Sequence, residues 1–501
     1  MSTPALHSAK LRSAPPPLIP HHSLHKAYGL HIPRGLDSRF RYDTSNSHML
    51  NRLLKLFNPT KTLSKMPTPK IIPASEHGLR RSQFSPNAIK VIEKLQEAGF
   101  SAFLVGGGVR DLLLGGQPKD FDVATNATPE ETKNLFRNSM IIGRRFRIVH
   151  VRFGREIIEV TTFRAHHDQS LDPKDAAQSQ TGMLLRDNVY GDIESDAARR
   201  DFSINALYYD PSTGNLFDYT NGLKDLKRRV LQMIGDPEAR YKEDPVRMLR
   251  AVRFSAKLGF ALTENTAEPI KRLAPLMSHV SSARLFEEVL KLMMSGSATS
   301  TLQLLREYGL FGALFPGTEQ CLQLGDEKQL QFINQAALNT DKRIRQNKKV
   351  TPAFIYAAFL WLPLQAAIRK LVHDDKMSVA DAVRHAEHGV ISQQLTCTAI
   401  PKRFLIPMRE IWALQLRLPR REGRKAFLLL EHPRFRAAYD FLLLREQSGE
   451  HLDGLGLWWT QFQDASEEQR EAMVQQLGKP QQRRRKSRRR SNSNPPPPAS
   501  T

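Results

Sequence analysis

The segment Leu104–Thr125, LVGGGVRDLLLGGQPKDFDVAT, combines three consecutive glycines with two aspartates separated by one residue. The apolar run before the glycines predicts a strand, and VRDLLLG predicts a short helix. Glycines between a strand and a helix allow the backbone to approach a phosphate, and the start of the helix offers free N–H groups. The spacing matches neither a Walker loop nor a dinucleotide fingerprint. Taken alone, the glycine run is equally typical of a plain turn.

Asp120 and Asp122 lie in DFDVAT, which predicts a second strand with both carboxylates on one face. Neighbouring carboxylates repel each other, and a divalent cation removes that cost. Mg²⁺ prefers oxygen ligands and takes one or two carboxylates together with substrate phosphates. An isolated Asp-x-Asp is more often a solvated strand end, so the interpretation depends on the surrounding motifs.

Two residues are candidates for the third carboxylate that an in-line displacement between two metal ions requires. Asp201 lies in RRDFSINALYYD beside Arg199 and Arg200, which favour its ionised form. Glu159 lies among apolar neighbours in a predicted hairpin strand and points either to the site or to solvent. For Asp201 the alternative role is a surface salt bridge. The residues alone leave both candidates open.

A row of arginines follows Asp244 in EDPVRMLRAVRF, with Arg247, Arg250 and Arg253 at steps of three. Each step of three turns back by about 60° on an α-helix, so the row forms a spiral rather than a straight stripe. Such a spiral suits a bound triphosphate and base better than a flat salt-bridge surface. Asp244 before Pro245 also has the form of a helix N-cap, which does not exclude a second role.

Short strand and helix patterns alternate between residues 100 and 210, whereas helical patterns alone continue from about 223 to 478. Thr128-Pro129-Glu130-Glu131 predicts a capping box that opens a helix. The polar segment 166–183 shows no pattern and predicts a mobile loop. These features predict a mixed α/β region around a small sheet, followed by helices.

The chain carries 74 Lys and Arg against 51 Asp and Glu, a formal net charge of +23. Such an excess indicates a polyanionic partner, above all nucleic acid. Both ends are strongly basic: residues 1–70 hold eleven Lys and Arg, and 479–490 hold eight. Both are predicted to be disordered, although a transit peptide or a translation start at Met66 are alternatives for the first. The sequence contains no run of about 18 apolar residues, so no membrane span is predicted.

Four motifs follow one another in a fixed order between about 105 and 260. They are Gly107-Gly108-Val109-Arg110-Asp111, Asp120-Phe121-Asp122, Arg200-Asp201-Phe202-Ser203-Ile204-Asn205-Ala206, and Glu243-Asp244-Pro245 with Arg247, Arg250 and Arg253. Together they resemble the signatures of class II nucleotidyltransferases, which include bacterial poly(A) polymerases and tRNA CCA-adding enzymes. The basic tail and the segments IIGRRFRIVHVRFG (141–154), IPKRF (400–404) and LLEHPRFRAAYDFL (429–442) resemble the bacterial poly(A) polymerases. Ser203 departs from the threonine usual in the family but keeps the hydroxyl.

The resemblance implies an α+β fold: a nucleotidyltransferase head with a small mixed sheet, then all-helical neck, body and tail regions, with disordered basic termini. The implied boundaries are 1–80 for a disordered basic extension, 81–222 for the head, 223–285 for a helical neck with the nucleotide-selecting motif, 286–478 for a helical RNA-binding body, and 479–501 for a disordered basic tail.

The implied activity is template-independent addition of AMP from ATP to RNA 3′ ends, which releases pyrophosphate and promotes RNA decay. The alternatives are tRNA CCA addition and a catalytically silent RNA-binding protein. By resemblance, Asp120 and Asp122 hold two Mg²⁺ ions, and Asp201 is favoured over Glu159 as the further catalytic carboxylate. The implied nucleotide-binding residues are Gly107, Arg110, Arg200, Asn205, Asp244, Arg247, Arg250 and Arg253. A cytoplasmic monomer that acts on RNA 3′ ends with the decay machinery is expected.

Overall fold

A computed structural model describes residues 68–143, 146–165, 176–178, 184–187, 189–325 and 327–477. These residues fall within one unit, Met66–Thr501. The basic stretches 1–67 and 479–501, which are predicted to be disordered, lie outside the described residues, as does most of the predicted loop 166–183.

A mixed sheet forms the N-terminal part of the described chain. The strands are β1 Lys70–Ile72, β2 Ala102–Val105, β3 Asp122–Thr125, β4 Ser139–Ile142, β5 Ile148–Phe153, β6 Glu156–Thr162, β7 Ala176–Gln178, β8 Leu184–Asp187, β9 Leu207–Tyr209, β10 Leu216–Asp218, β11 Val230–Leu231 and β12 Ala261–Leu262. Eight of them form one sheet in the order β1-β10-β9-β2-β3-β6-β5-β4. Its neighbours pair antiparallel except β3 and β6, whose parallel register sets Asp122 opposite Glu159.

Helices connect these strands and then make up the rest of the described chain. They are α1 Ala74–His77, α2 Pro86–Glu97, α3 Gly107–Leu113, α4 Pro129–Leu135, α5 Ile193–Arg199, α6 Gly222–Arg228, α7 Pro237–Glu243, α8 Val246–Leu258, α9 Glu264–Leu273, α10 Ser282–Met293, α11 Ala298–Glu307, α12 Leu310–Leu314, α13 Pro316–Leu324, α14 Glu327–Arg345, α15 Pro352–Phe359, α16 Trp361–His373, α17 Val379–Cys397, α18 Lys402–Gln415, α19 Lys425–Leu430, α20 Phe435–Gln447, α21 Leu455–Asp464 and α22 Glu467–Gln476. The predicted α+β architecture is confirmed.

Local signals begin the helices and turns of the head where the sequence predicts them. Thr128 Oγ1 accepts the N–H of Glu131, and the Glu131 side chain accepts the N–H of Thr128, which is the predicted capping box at α4. Gly154 adopts a φ of +61° in the two-residue turn between β5 and β6. These short-range signals therefore set the ends of the elements around the site.

Three predictions are wrong in detail. Strand β1 lies inside the predicted extension 1–80 and pairs with β10, so the ordered head begins earlier. Residues 176–178, inside the predicted patternless loop, pair with 184–187. Beyond residue 223, where only helices are predicted, β11 and β12 form a parallel pair. Strands of two to four residues contain too few alternations for a hydrophobic pattern to show.

The buried apolar side chains form one large cluster that continues from the sheet into the helices. A further cluster surrounds Trp459, whose indole N–H donates to the Leu418 carbonyl at 3.1 Å. Among the described helices, no single one is long and apolar enough to cross a membrane. The bent pair Pro352–Phe359 and Trp361–His373 meets that criterion by length and composition alone.

Asp341, on α14, caps the start of α11 although the two lie more than 40 residues apart in the sequence. Its buried carboxylate accepts the N–H groups of Ala298 and Thr299 at 2.6 and 2.9 Å, at the start of α11. Asp341→Ala leaves both donors unsatisfied and is expected to lower the free energy of unfolding by about 2–3 kcal/mol. Urea denaturation followed by circular dichroism measures this. Asp341→Asn keeps one acceptor and loses less; equal stability of all three proteins would contradict the capping role.

Candidate active site

The glycine run packs closely against the loop that carries the two aspartates. Gly106 has a φ of +78°, where L side chains are strained, and a Cβ there would lie 3.4 Å from Asp122 Oδ2. A Cβ on Gly108 would lie 3.0 Å from the Phe121 ring and 3.1 Å from the Asp120 carbonyl oxygen. Glycine is therefore required here because α3 begins directly against the aspartate loop. The turn packs against the loop and strand that carry the aspartates; Gly106 and Gly108 are buried there, and Gly107 is half-buried.

Asp120 and Asp122 differ in their surroundings. Strand β3 begins at Asp122, two residues later than predicted, so Asp120 lies in the preceding loop and is exposed. Burial raises the pKa of Asp122 to about 6, and the charges of Glu159 and Asp120 add to the effect while Arg200 opposes it. A carboxylate whose charge is disfavoured in this way is one that a bound cation would stabilise.

Glu159 adjoins Asp122 through the parallel pairing of β3 and β6. On its other side, Glu159 Oε1 lies 3.3 Å from His150 Nε2. Within the described residues, no group of three or more His, Cys, Asp or Glu side chains is arranged to hold a metal ion. Two carboxylates completed by substrate oxygens nevertheless suit Mg²⁺, which seldom uses an all-protein cage.

Asp201 belongs to a separate, buried network. Its Oδ2 accepts from Arg250 Nε at 2.7 Å, and its Oδ1 accepts from Asn205 Nδ2 at 3.0 Å and from the Phe202 N–H at 2.8 Å. Burial alone would raise the pKa of Asp201, but the charge of Arg250 and these hydrogen bonds hold it well below its usual value. Asp201 therefore stays ionised and its oxygens are already engaged by protein donors.

Of the two candidates for a third carboxylate, the sheet register sets Glu159 beside Asp122, whereas Asp201 is bound to Arg250. The catalytic role assigned to Asp201 by resemblance stays a prediction. The salt bridge weighed for Asp201 does form, but its carboxylate is buried and its partner is the half-buried Arg250 rather than the adjacent arginines.

Arg110 extends the Asp201 network toward the glycine turn. Its Nη1 donates to Asn205 Oδ1 at 2.6 Å, and its Nε donates to Asp111 Oδ1 at 2.8 Å. The guanidinium also lies 5.0 Å from the centre of the Phe254 ring. A cation near a helix start is disfavoured, and Asp111 offsets that cost. Contact of Gly107 and Arg110 with a nucleotide stays a prediction.

The arginines of α8 reach three different surroundings, as a spiral requires. Arg247 Nη1 donates to Glu243 Oε2 at 2.8 Å, whereas Arg250 binds Asp201. The Nε of Arg253 is buried and has no hydrogen-bond partner among the described residues. Burial lowers the pKa of Arg253, and the charge of Arg250 adds to this effect. Arg253 is thus the member of the row with an unused donor.

Asp244 serves two roles in the structure. Its Oδ1 accepts the Val246 N–H at 3.3 Å, which is the predicted cap at the start of α8. The same carboxylate receives a bidentate salt bridge from Arg284, with Nη1 and Nη2 at 2.9 and 2.8 Å from the two oxygens. Arg284 is absent from the predicted site. It lies forty residues away on α10, so no local spacing indicates the pair.

Arg200 is held beside the carboxylate site by a further residue that the sequence analysis missed. Its Nε lies 3.1 Å from Asp196 Oδ2 and 2.9 Å from the Tyr208 hydroxyl, and that hydroxyl donates to Asp196 at 2.7 Å. The spacing of four residues between Asp196 and Arg200 on a helix is a signal that could have found this pair.

A group of crowded cations lies around Arg199. Burial lowers the pKa of Arg199 to about 9, and the charges of Arg164 and Arg240 add to this effect. The pKa of Arg240 falls to about 10 through burial and the nearby charge of Arg247. Glu243, which pairs with Arg240 and Arg247 at 2.7 and 2.8 Å, offsets part of this repulsion, and a bound polyanion would offset more of it.

Three family models match successive parts of the chain. Residues 102–232 match the head domain of poly(A) polymerase, residues 259–322 a probable RNA and SrmB-binding site of polymerase A, and residues 375–493 the arginine-rich C-terminus of polymerase A. The first match contains the glycine turn, Asp120, Asp122 and Asp201.

Curated relatives and solved structures agree with these matches. Poly(A) polymerase I of Salmonella typhimurium is 49% identical over 411 residues, which cover 81% of this chain and 88% of the relative. A CCA-adding enzyme of Geobacillus stearothermophilus is 37% identical over 245 residues, 49% of this chain and 57% of the relative. A structure described as a tRNA-processing enzyme with CTP has a TM-score of 0.52 at 22% identity, over 77% of this chain and 97% of that chain, and shows the fold.

The raised pKa of Asp122 predicts a pH-dependent effect on stability. Because the folded-state pKa of about 6 lies above the ordinary value of 3.8, the folded protein loses stability as pH rises through this interval. Asp122→Asn removes that loss, so its melting temperature should exceed that of the parent above pH 7 and the gain should shrink toward pH 4.5. Melting curves in EDTA across this range measure it.

Asp374→Asn, at an exposed carboxylate after α16, is the matched control and should show no comparable trend. A melting-temperature difference for Asp122→Asn that is constant from pH 4.5 to 8 would contradict the destabilising charge at Asp122.

The ion pair between the buried Asp201 and the half-buried Arg250 predicts that Asp201 is needed for stability. Asp201→Ala leaves the guanidinium without its carboxylate and is expected to lower the free energy of unfolding by about 2–3 kcal/mol. Asp120→Ala removes an exposed carboxylate and should change it by less than about 0.5 kcal/mol. Denaturant titrations of both variants measure the contrast. If Asp201→Ala is as stable as the parent, the ion pair does not contribute to the free energy of unfolding.

Proposed function

The chain belongs to the poly(A) polymerase family, and on that premise we propose that it transfers AMP from ATP to RNA 3′ ends without a template. Identity of 49% over most of both chains, together with the intact Asp120 and Asp122, is the observation that carries this function. The CCA-adding relative matches only about half of this chain at lower identity. The enzyme is therefore a polynucleotide adenylyltransferase with RNA as acceptor.

In the proposed reaction the 3′-oxygen of RNA attacks the α-phosphorus of ATP. A new bond joins that oxygen to the α-phosphorus as the bond to the β-phosphate oxygen breaks, and pyrophosphate leaves with the electron pair. The proton of the 3′-hydroxyl is lost to solvent or to a neighbouring base. Catalysis of this kind depends mainly on positioning and on stabilising negative charge.

We assign the negative charge of the triphosphate to the cations around Arg199. The pKa values of Arg199 and Arg240 are lowered by burial and by mutual repulsion, which a polyphosphate would relieve. Arg253, with an unused buried Nε, adds a donor at the end of the α8 row. Arg200 lies close to Gly106 and Asp122, where the glycine turn meets the carboxylates.

Asp120 and Asp122 are the proposed ligands for two Mg²⁺ ions. When bound, Mg²⁺ stabilises charge at the transferred phosphate and favours ionisation of the attacking hydroxyl. The elevated pKa of Asp122 fits a group whose charge requires a cation. Glu159, which neighbours Asp122 in the sheet, contributes negative charge to this side of the site.

Selection of the base is assigned to the start of α8. Asp244 presents acceptors and Arg247 presents donors within four residues, and both are held by protein partners, Arg284 and Glu243 respectively. Side chains fixed in this way can offer a rigid hydrogen-bonding pattern to an incoming base. Gly107, Arg110 and Asn205 retain their proposed nucleotide-binding roles through the network that joins them to Asp201 and Arg250.

Further proposals follow from the family rather than from the site. Tailing of RNA for decay, work with decay proteins, a monomeric state and a cytoplasmic location are all expected. The region 259–322 matches a probable RNA and SrmB-binding site, which supports a protein partner there. The proposed boundaries of head, neck, body and tail remain as predicted, with the start of the head moved to include β1.

Primer extension with purified protein tests the function. With Mg²⁺ and a generic RNA primer, ATP alone should give long products, whereas CTP, GTP or UTP alone should give little. Asp120→Ala and Asp122→Ala should lower the extension rate by at least about 10³-fold while RNA affinity changes less than about twofold, because the carboxylates act on the reacting phosphate.

Incorporation confined to tRNA that lacks its end, with CTP and ATP, would instead support CCA addition. An Asp120→Ala protein as active as the parent would overturn the assignment of the carboxylates. Loss of RNA binding in parallel with activity would mean that the two aspartates are structural.

A further inference from the structure

A cleft with a cavity volume of about 590 Å³ opens among helices α14, α15, α18 and α20, away from the carboxylate site. Its apolar lining includes Val350, Phe354, Phe404 and Ile411, which are buried or half-buried. The lysines and arginines that line it are mostly exposed. The cleft therefore has an apolar interior and a charged rim.

The rim is strongly positive. Three lysines, Lys342, Lys348 and Lys349, line it together with four arginines. The one carboxylate among the described lining residues is Asp440, which already lies 3.3 and 3.1 Å from two of those arginines. No carboxylate of the described chain lies within ion-pair distance of the three lysines. An anion with several charges is the complementary ligand.

One aromatic side chain of the apolar interior, Phe404, is suited to stacking. Phe404 is half-buried, and its ring lies 5.9 Å from that of Phe286 at an angle of 28°. The guanidinium of Arg403 lies 4.9 Å from the centre of the Phe404 ring. Aromatic rings among cations are the combination by which proteins bind single-stranded nucleic acid without regard to sequence.

One helix joins this cleft to the nucleotide-selecting motif. On α10, Arg284 binds Asp244, and Phe286 packs against Phe404 of the cleft. Residues two apart on an α-helix point to nearly opposite sides. The cleft therefore lies about one helix diameter, roughly 10–12 Å, from the motif at the start of α8.

We propose that this cleft binds the single-stranded RNA acceptor a few nucleotides upstream of the 3′ end that is being extended. One or two bases occupy the apolar interior against Phe404, and their phosphates contact Lys348, Lys349 and Arg403. The cavity volume lies in the range of about 300–1,000 Å³ that binds small ligands, which suits one or two nucleotides. This inference rests on the proposed function and adds a second RNA contact to it.

An acidic protein segment would also meet the charge of the rim. The aromatic interior and the closeness of the RNA-extending site favour RNA, so the acidic segment becomes an outcome of the test.

The test compares two charge-reversed variants of the full chain. The cleft variant is Lys348→Glu, Lys349→Glu and Arg403→Glu. The control variant is Lys90→Glu, Lys133→Glu and Lys370→Glu, at exposed positions elsewhere, with the same change in net charge. Extension of a trinucleotide primer, which can place at most its 5′-terminal nucleotide in the cleft, is compared with extension of a 20-nucleotide single strand. Circular dichroism confirms that both variants fold.

The cleft variant should raise KM for the 20-nucleotide primer at least about tenfold over the control, with kcat and trinucleotide extension unchanged. The slope of log KM against log salt should fall by about 2, since each phosphate contact on a single strand contributes about 0.7. Phe404→Leu keeps apolar packing on Phe286 and should raise KM severalfold with an unchanged salt slope.

Equal KM values for the cleft and control variants would overturn the proposal, as would an equal loss with the trinucleotide. Retained RNA affinity with loss of poly-glutamate binding would assign the cleft to an acidic protein segment instead. Fluorescence anisotropy with the 20-nucleotide strand measures RNA affinity without catalysis, so it tests the cleft independently of the polymerase activity. A parent that extends no RNA refutes the polymerase activity, whereas a cleft variant that binds RNA as the control does refutes the cleft.

Discussion

The ion pair between Asp201 and Arg250 connects the two halves of the described chain around the site. Asp201 follows the helix α5 of the head, and Arg250 lies on α8, the first long helix after the sheet. Asn205 passes the same network to Arg110 and the glycine turn. A second pair, between α8 and α10, continues it into the helical region. These ion pairs, whose carboxylates are largely buried and whose arginines are half-buried, thus connect the head with the helices that follow it.

The site has an acidic side around Asp122 and a basic side around Arg199, and on each side the surroundings disfavour the charged form. Burial and neighbouring carboxylates make the charge of Asp122 costly, whereas burial and neighbouring guanidiniums make the charge of Arg199 costly. A substrate that brings both negative phosphates and cations relieves the two sides together. Under the proposed function, binding of a nucleotide together with metal ions would therefore be favoured over binding of either alone.

Much of the fold and of the candidate site follows from short-range sequence patterns. Some features are formed by residues within a few positions of one another, so spacing alone predicts them. They are the capping box at Thr128, the Asp244 contact at the start of α8, and the three-residue spacing of the α8 arginines. The proximity of Glu159 to Asp122 depends on which strands pair and in which register, and the Arg284 salt bridge joins residues forty positions apart. Such contacts depend on tertiary packing, which a single sequence does not display.

Helix α10 meets the start of α8 on one side and the basic cleft on the other. Any rotation of this helix about its axis moves Arg284 and Phe286 in opposite directions at once. A change that displaces one of these two contacts, Arg284 with Asp244 or Phe286 with Phe404, is therefore expected to displace the other as well. If both proposed roles hold, one rigid helix would connect the base-selecting residues to the RNA-binding cleft.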